Sequence, residues 1–226
     1  MNSKKRVLLL IGSPKQQNST SESLGNYLIE KLQTQGFESE SLFIHKVLKS
    51  DDRRNMLLTA INNTELIIIA FPLYIDCLPY LVIKMMELVA EDRKGKKDLM
   101  KQRLVCIVNN GFPEPHQNDT AVAICRQFAK ETGFNWAGGL QLGEGEAING
   151  KALHEAKGMA RNVIKSLNLA AAALSEGNSI PQKVKKIMAK LIVPAWLYRW
   201  MGGMKWKRDS KKHGVNKQLY KQPYST

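Results

Sequence analysis

Apolar and polar positions follow two rhythms along the chain. Short runs rich in Val, Ile and Leu recur at Val7 to Ile11, Ser41 to Ile44, Leu66 to Phe71, Leu104 to Val108 and around Ala137 to Leu142. Continuous apolarity over so few residues is the pattern of strands buried on both faces. Between these runs, apolar residues fall three or four apart over Thr20 to Thr34, Arg53 to Asn63, Leu81 to Ala90, Thr120 to Thr132 and Ala152 to Leu174, which predicts helices. In the first of these Leu24, Leu28, Ile29 and Leu32 form one stripe, closed by Gly36 just past the helix end. Five alternating β and α units predict an α/β fold with one parallel sheet covered on both faces, because right-handed crossovers lay helices over the strands.

The pattern breaks once, at "SEGNSIPQK", Ser175 to Lys183, where Gly177, Asn178 and Pro181 end the fifth helix. No internal repeat or low-complexity linker interrupts it elsewhere. The expected organisation is a domain over residues 1–178 and an extension over 179–226.

Composition adds three constraints. With 43% hydrophobic and 24% charged residues over 226 positions, the chain has the make-up of a soluble globular protein with one substantial core. The opening "KKRVLLLIG" has too short an apolar run for a secretory leader and no small-residue cleavage pattern, so it reads as a first strand. Cys77, Cys106 and Cys125 are odd in number, widely spaced and without a C-x-x-C pair. They suggest neither a disulfide framework nor a zinc or iron–sulfur site, and a reducing cytoplasm is the expected compartment.

In an open parallel sheet, ligands bind outside the carboxyl ends of the strands, near the point where strand order reverses. The loops after the first, third and fourth strands are therefore the informative ones. The first, within "IGSPKQQNSTSESL", offers Ser13, Asn18, Ser19, Thr20 and Ser21 as side-chain donors ahead of a helix N-terminus, a combination suited to a phosphate. Simple N-capping by Ser19 or Thr20 with Glu22 explains the same residues, and the two uses compete only partly. The loop has no G-x-x-x-x-G-K-[ST] and no G-x-G-x-x-G, which removes support for ATP hydrolysis and for Rossmann-type NAD binding. After the third strand, "FPLYIDCLPY" places Pro72 at the strand end and Tyr74 where it can lie against a planar ligand or pack on the core. After the fourth, "NNGFPEPHQND" brings amides from Asn109 and Asn110, close backbone approach at Gly111 and an aromatic surface at Phe112. A phosphate seat, aromatic surfaces and amides for a heteroaromatic edge together fit FMN.

At these residues the sequence resembles the flavodoxin-like NAD(P)H-dependent FMN reductases, a group that includes NAD(P)H dehydrogenases acting on quinones. "GSPKQQNSTSESL" looks like that family's phosphate loop and "PLYIDCLPYLVIKMME" like its P-x-Y…P-x-x-x-K segment. "GLQLGEGEAINGKAL", Gly139 to Leu153, and "QPY", Gln222 to Tyr224, are also similar to members of the group. The resemblance covers residues 5–170 and implies a flavodoxin-like three-layer sandwich whose five-stranded parallel sheet has the order 2-1-3-4-5. It also implies that Ser13, Lys15, Asn18, Ser19 and Thr20 surround the FMN phosphate, that Pro72, Leu73, Tyr74 and Ile75 line the isoalloxazine, and that Asn109, Asn110, Gly111 and Phe112 meet its far edge. The implied activity is oxidoreduction: hydride passes from NAD(P)H through the flavin to a quinone, flavin or other small acceptor, and no side-chain acid or base is required. A homodimer is the expected assembly.

Two departures stand out: Ile75 occupies a position where many relatives carry Trp, and the cysteine cluster of the iron–sulfur branch is absent. Other classes fit less well. A response-regulator receiver needs acids where this sequence has Gly12-Ser13 and Phe71-Pro72, and a low-molecular-weight phosphatase needs C-x5-R at the first loop, whereas the first Cys here is Cys77. A flavodoxin-type electron carrier without its own NAD(P)H oxidation stays open as the alternative, although such carriers tend to be acidic. His45, His116, His154 and His213 lack metal-ligand spacing, and "GEGEA", Gly143 to Ala147, reads as a loop shaping the pocket mouth, because Glu144 and Glu146 repel phosphate.

The formal charge of +14 is concentrated at one end: residues 181–226 hold 12 Lys and Arg against the single acid Asp209. Within this stretch Trp196, Leu197, Trp200 and Met204 mix with Arg199 and Lys205, and the charges and Pro194 argue against a membrane-spanning helix. Two readings remain for the basic helical extension: a helix docked on the domain or on a partner subunit, and a segment lying at an anionic membrane surface on the cytoplasmic face. Nucleic acid ranks behind both, since no groove-reading or base-stacking motif accompanies the charge.

Overall fold

The computed structural model describes residues 5–15, 17–96 and 99–222. Gln16 of the first loop, and Pro223 and Tyr224 of the closing "QPY", lie outside them. Five strands, β1 (Arg6–Ile11), β2 (Glu38–Phe43), β3 (Leu66–Pro72), β4 (Arg103–Asn109) and β5 (Asn135–Leu142), form one sheet of order β2-β1-β3-β4-β5. All four pairings are parallel. This is the flavodoxin-like order that the resemblance implies.

Because successive side chains leave a strand on opposite faces, each buried strand feeds two cores. Val7, Leu9 and Ile11 of β1 and Ile68 of β3 pack with Leu24, Leu28 and Leu32 of α1 (Thr20–Gln33) and with Val163, Leu167 and Ala170 of α6 (Arg161–Ser175). Leu8 and Leu10, with Ile67, Ile69 and Phe71, belong to the other core. That core contains Leu57 and Ile61 of α3 (Asp51–Asn62), Val82, Met85 and Val89 of α4 (Tyr80–Arg93), and Ala121 and Cys125 of α5 (Asp119–Glu131).

Three features differ from the sequence pattern. β2 begins at Glu38 rather than Ser41, and a one-turn helix α2 (Ile44–Val47) follows it. As the outer strand it has no fully buried residue, so "ESE" carries no apolar signal. The sixth helix begins at Arg161 rather than Ala152, because residues 152–160 run through a turn and a short 3-10 helix (Lys157–Ala160) that still bury Leu153, Ala156 and Ala160. Finally, the compact unit runs to Ile192, past the expected boundary at 178. The Ile180 N–H donates to the Ala137 carbonyl at 2.7 Å, the Ser166 hydroxyl donates to the Val184 carbonyl at 2.9 Å, and Val184 and Met188 of α7 (Gln182–Met188) are buried. These contacts make α7 part of the layer over β5. The second unit, Val193–Thr226, contains α8 (Ala195–Lys212).

Candidate flavin-binding site

The chain reverses its direction of travel across the sheet between β1 and β3, and the loops leaving β1, β3 and β4 meet there. They bound a cleft of about 280 Å³ lined by Ser13, Lys15, Ser19, Thr20 and Ser21 from the first loop, Pro72, Leu73 and Tyr74 from the second, and Asn109, Asn110 and Gly111 from the third. Gly145, Glu146 and Asn149, from the loop after β5, complete the lining. A larger groove of about 700 Å³ lies elsewhere, between β2 and α3. It is lined by Arg6 and Val7, where β1 begins, so it sits at the end of the sheet away from the strand termini that open-sheet ligands use.

Gly12 brings the first loop close to its neighbours. Its N–H donates to the Ala70 carbonyl at 2.8 Å, and a Cβ there would overlap Val82 and lie 2.9 Å from the Phe71 Cβ. The chain then turns into α1 through a capping box. The Ser19 hydroxyl accepts the Glu22 N–H at 3.1 Å, and the Glu22 carboxylate accepts the Ser19 N–H at 3.4 Å. The box uses two of the first-turn donors and leaves the Thr20 and Ser21 N–H groups available to an anion. Capping and anion binding are therefore compatible here.

The hydroxyls divide into two sets. Thr20 donates its proton to the Gly145 carbonyl at 2.8 Å, and Ser21 donates to Asn109 Oδ1 at 2.7 Å. Both protons are committed to holding loops together and are lost to a phosphate dianion, which only accepts. Ser13 accepts from the Lys15 N–H at 3.3 Å, and Ser19 accepts from Glu22, so each keeps its own proton to give. The Thr20 side chain thus clamps two loops, while Thr20 stays in the lining of the cleft where the resemblance implies it.

The third loop is tied at both ends. The Asn109 carbonyl accepts the Leu73 N–H at 2.8 Å, and the Asn110 carbonyl accepts the Gly145 N–H at 2.8 Å. Asn110 Oδ1 accepts the Phe112 N–H at 2.9 Å. Asn109 is buried and links three loops, and Ser21 beneath it is 1% exposed. Asn109→Ala should therefore leave the Ser21 hydroxyl buried without its acceptor and cost about 1–3 kcal/mol, read as a shift in a urea unfolding midpoint.

Three residues implied for the site are not among its lining: Asn18, Ile75 and Phe112. Asn18 is exposed with φ 56°, and the backbone of Gly150 packs against its carbonyl. Phe112 is 58% and Ile75 99% exposed. Ile75 and Asp76 are the central residues of a two-residue turn, with φ 46° and 56°, closed by reciprocal 3.0 Å bonds between Tyr74 and Cys77. A β-branched residue is costly in that conformation, which Asn or Gly takes readily. Ile75→Asn should raise stability by about 1 kcal/mol in equilibrium unfolding, since no burial is lost.

Of the lining, Ser21 belongs to the first loop's donors but not to the set implied by the resemblance. Gly145 and Glu146 come from the stretch expected at the pocket mouth. Asn149 lies in the stretch Gly139 to Leu153 that resembles the family, where no role is expected of it, and is brought in by the loop after β5.

No family model matches the chain, and no curated protein sequence matches it. Solved structures do match in fold. An FMN-dependent NADH-azoreductase from Bacillus anthracis str. Ames Ancestor, solved in complex with FMN, has a TM-score of 0.55 at 15% identity, covering 76% of this chain and 99% of that chain. An NADH:FMN oxidoreductase in its apo form gives 0.58 at 14% identity, over 84% of this chain and 96% of the other. An NADPH-quinone reductase from P. pentosaceus gives 0.53 at 14%, over 74% and 97%. The chain therefore has the flavodoxin-like fold.

Proposed function

We propose that the protein is an FMN-dependent oxidoreductase that takes hydride from NAD(P)H and passes it to a quinone, a flavin or another small acceptor. The observation that carries this reading is the convergence of the loops after β1, β3 and β4 on one cleft, with the α1 N-terminus at one side and amides and Tyr74 at the other. The donor set suits the cofactor. Ser13 and Ser19 retain hydroxyl protons, the Thr20 and Ser21 N–H groups are available, and Lys15 supplies a positive charge, which together match a phosphate monoester. Pro72, Leu73 and Tyr74 with Asn109, Asn110 and Gly111 would hold the ring, and exposed Ile75 and Phe112 offer apolar cover beside it. The fold neighbours named for FMN and nicotinamide chemistry support the same assignment.

When bound, FMN supplies the hydride acceptance and delivery, and the protein contributes binding, orientation and electrostatics. Backbone N–H groups in the second and third loops would favour negative charge on the reduced ring, and apolar neighbours would keep water from it. The test is steady-state oxidation of NADH and of NADPH by the FMN-loaded protein with a benzoquinone or an azo dye. Acceptor-dependent oxidation is expected. If neither nucleotide is oxidised while a separate reductase does reduce the bound flavin, the protein is an electron carrier instead.

A further inference from the structure

We infer that α8 is a docking element for an anionic lipid surface. The inference rests on the second unit alone and is independent of the flavin assignment. α8 holds three of the chain's four tryptophans, and Trp196, Trp200 and Trp206 are 68%, 58% and 72% exposed. Trp196, Trp200 and Met204 recur at i, i+4 and i+8, and with exposed Met201 they form an arc along the first half of the helix. On the same side the second half of the helix continues with Lys207, Lys211 and, flanking them, Arg208 and Lys212, all exposed. One face is therefore aromatic and apolar at its start and cationic at its end.

Water alone is a poor environment for such a helix. Its residues from Arg199 to Asp209 are all exposed, and Gly202-Gly203 in its middle touch no atom where a side chain would begin. Two mid-helix glycines cost about 2 kcal/mol relative to alanine, and an 18-residue helix exposed over the whole stretch from Arg199 to Asp209 is marginal. A covering surface would add the burial that this stretch lacks.

Charge selects that surface. Residues 193–226 carry eight Lys and Arg against Asp209, which itself lies 4.0 Å from Arg208. A second copy of the same segment would meet this face with like charge, whereas anionic headgroups complement it. Exposed indoles with flanking Lys and Arg suit the headgroup level of a bilayer. No helix among the described residues is long and apolar enough to cross a membrane, so α8 would lie on the surface.

The experiment is sedimentation of the full chain with vesicles of phosphatidylcholine, with and without 30 mol% phosphatidylglycerol, at low and high salt. Tryptophan emission is recorded alongside. We expect binding to anionic vesicles at least about tenfold tighter than to neutral ones, weakened by salt, with a blue shift in emission. Trp196→Ser/Trp200→Ser and Lys207→Gln/Lys211→Gln/Lys212→Gln change only exposed side chains, and each should lower anionic binding about tenfold or more. The inference is overturned by absent vesicle binding, by equal binding to neutral and anionic vesicles, or by binding that both variants retain. It is overturned equally if the tryptophan variant abolishes self-association while vesicle binding is absent, which would assign the face to a second copy. Salt-sensitive retention on DNA without vesicle binding would assign the charge to nucleic acid.

Discussion

Gly150→Ala should weaken FMN binding by about a hundredfold or more, the equivalent of losing two charge-assisted phosphate hydrogen bonds. Gly150 has φ 73°, and a Cβ there would overlap the carbonyl carbon and oxygen of Asn18. Asn18 immediately precedes the Ser19 cap, so the only relief is to push the first loop away from the loop after β5. That movement would break the bond from Thr20 to the Gly145 carbonyl and shift the Ser19 hydroxyl and the Thr20 and Ser21 N–H groups away from the anion. The left-handed backbone itself adds about 1 kcal/mol of destabilisation. Gly36→Ala is the control, because Gly36 has φ 89° and nothing within 4 Å of an added Cβ. It should carry the backbone cost with FMN affinity unchanged. Isothermal titration of both variants separates loop displacement from general loss of stability.

Arg93→Met should have the opposite signature, a loss of about 2–4 kcal/mol in stability with little change in FMN affinity. Arg93 is 4% exposed at the end of α4. Its Nε donates to the Thr132 carbonyl and its Nη1 to Gln102 Oε1, both at 2.7 Å, and the guanidinium lies 4.0 Å from the Phe134 ring centroid. Gln102 in turn donates to the Ile61 and Thr64 carbonyls, so one cation ties the ends of α3, α4 and α5 to the start of β4. Burial lowers the guanidinium pKa from its usual value, and the Asp92 carboxylate opposes that change. Methionine keeps the apolar volume over Phe134 but leaves the Thr132 carbonyl and Gln102 Oε1 without their donor. This hub sits at the starts of the strands, and β3 and β4, each seven residues long, separate it from the cleft by roughly 20 Å. Thermal unfolding should show a fall of about 5–15 °C in Tm, while an FMN titration of the folded variant matches wild type within about twofold.

These two variants show where sequence reading reached and where it stopped. β1, β3 and β4 were legible because they are buried on both faces, and their ends located the three loops of the cleft. β2 was only half legible, since its outer-edge residues Glu38 to Ser41 face solvent and carry no apolar signal. The stretch from Ala152 to Ala160 read as α-helix because Leu153, Ala156 and Ala160 are buried at helical spacing, although a turn and a short 3-10 helix bring them inward. Periodicity reports burial and does not report the backbone that achieves it. In the site, residue types identified donors but not their commitments. That Thr20 and Ser21 spend their protons on Gly145 and Asn109, and that Gly150 seats against Asn18, depends on contacts far apart in sequence.

The central claim is that the first loop, with the α1 N-terminus, holds the phosphate of a flavin. It is tested most directly by titrating the flavin-free protein with FMN and with riboflavin while following flavin fluorescence. FMN should be quenched near one equivalent, and riboflavin, which lacks the phosphate, should bind about a hundredfold more weakly. Equal affinity for the two flavins, or no FMN binding at micromolar protein, would contradict it.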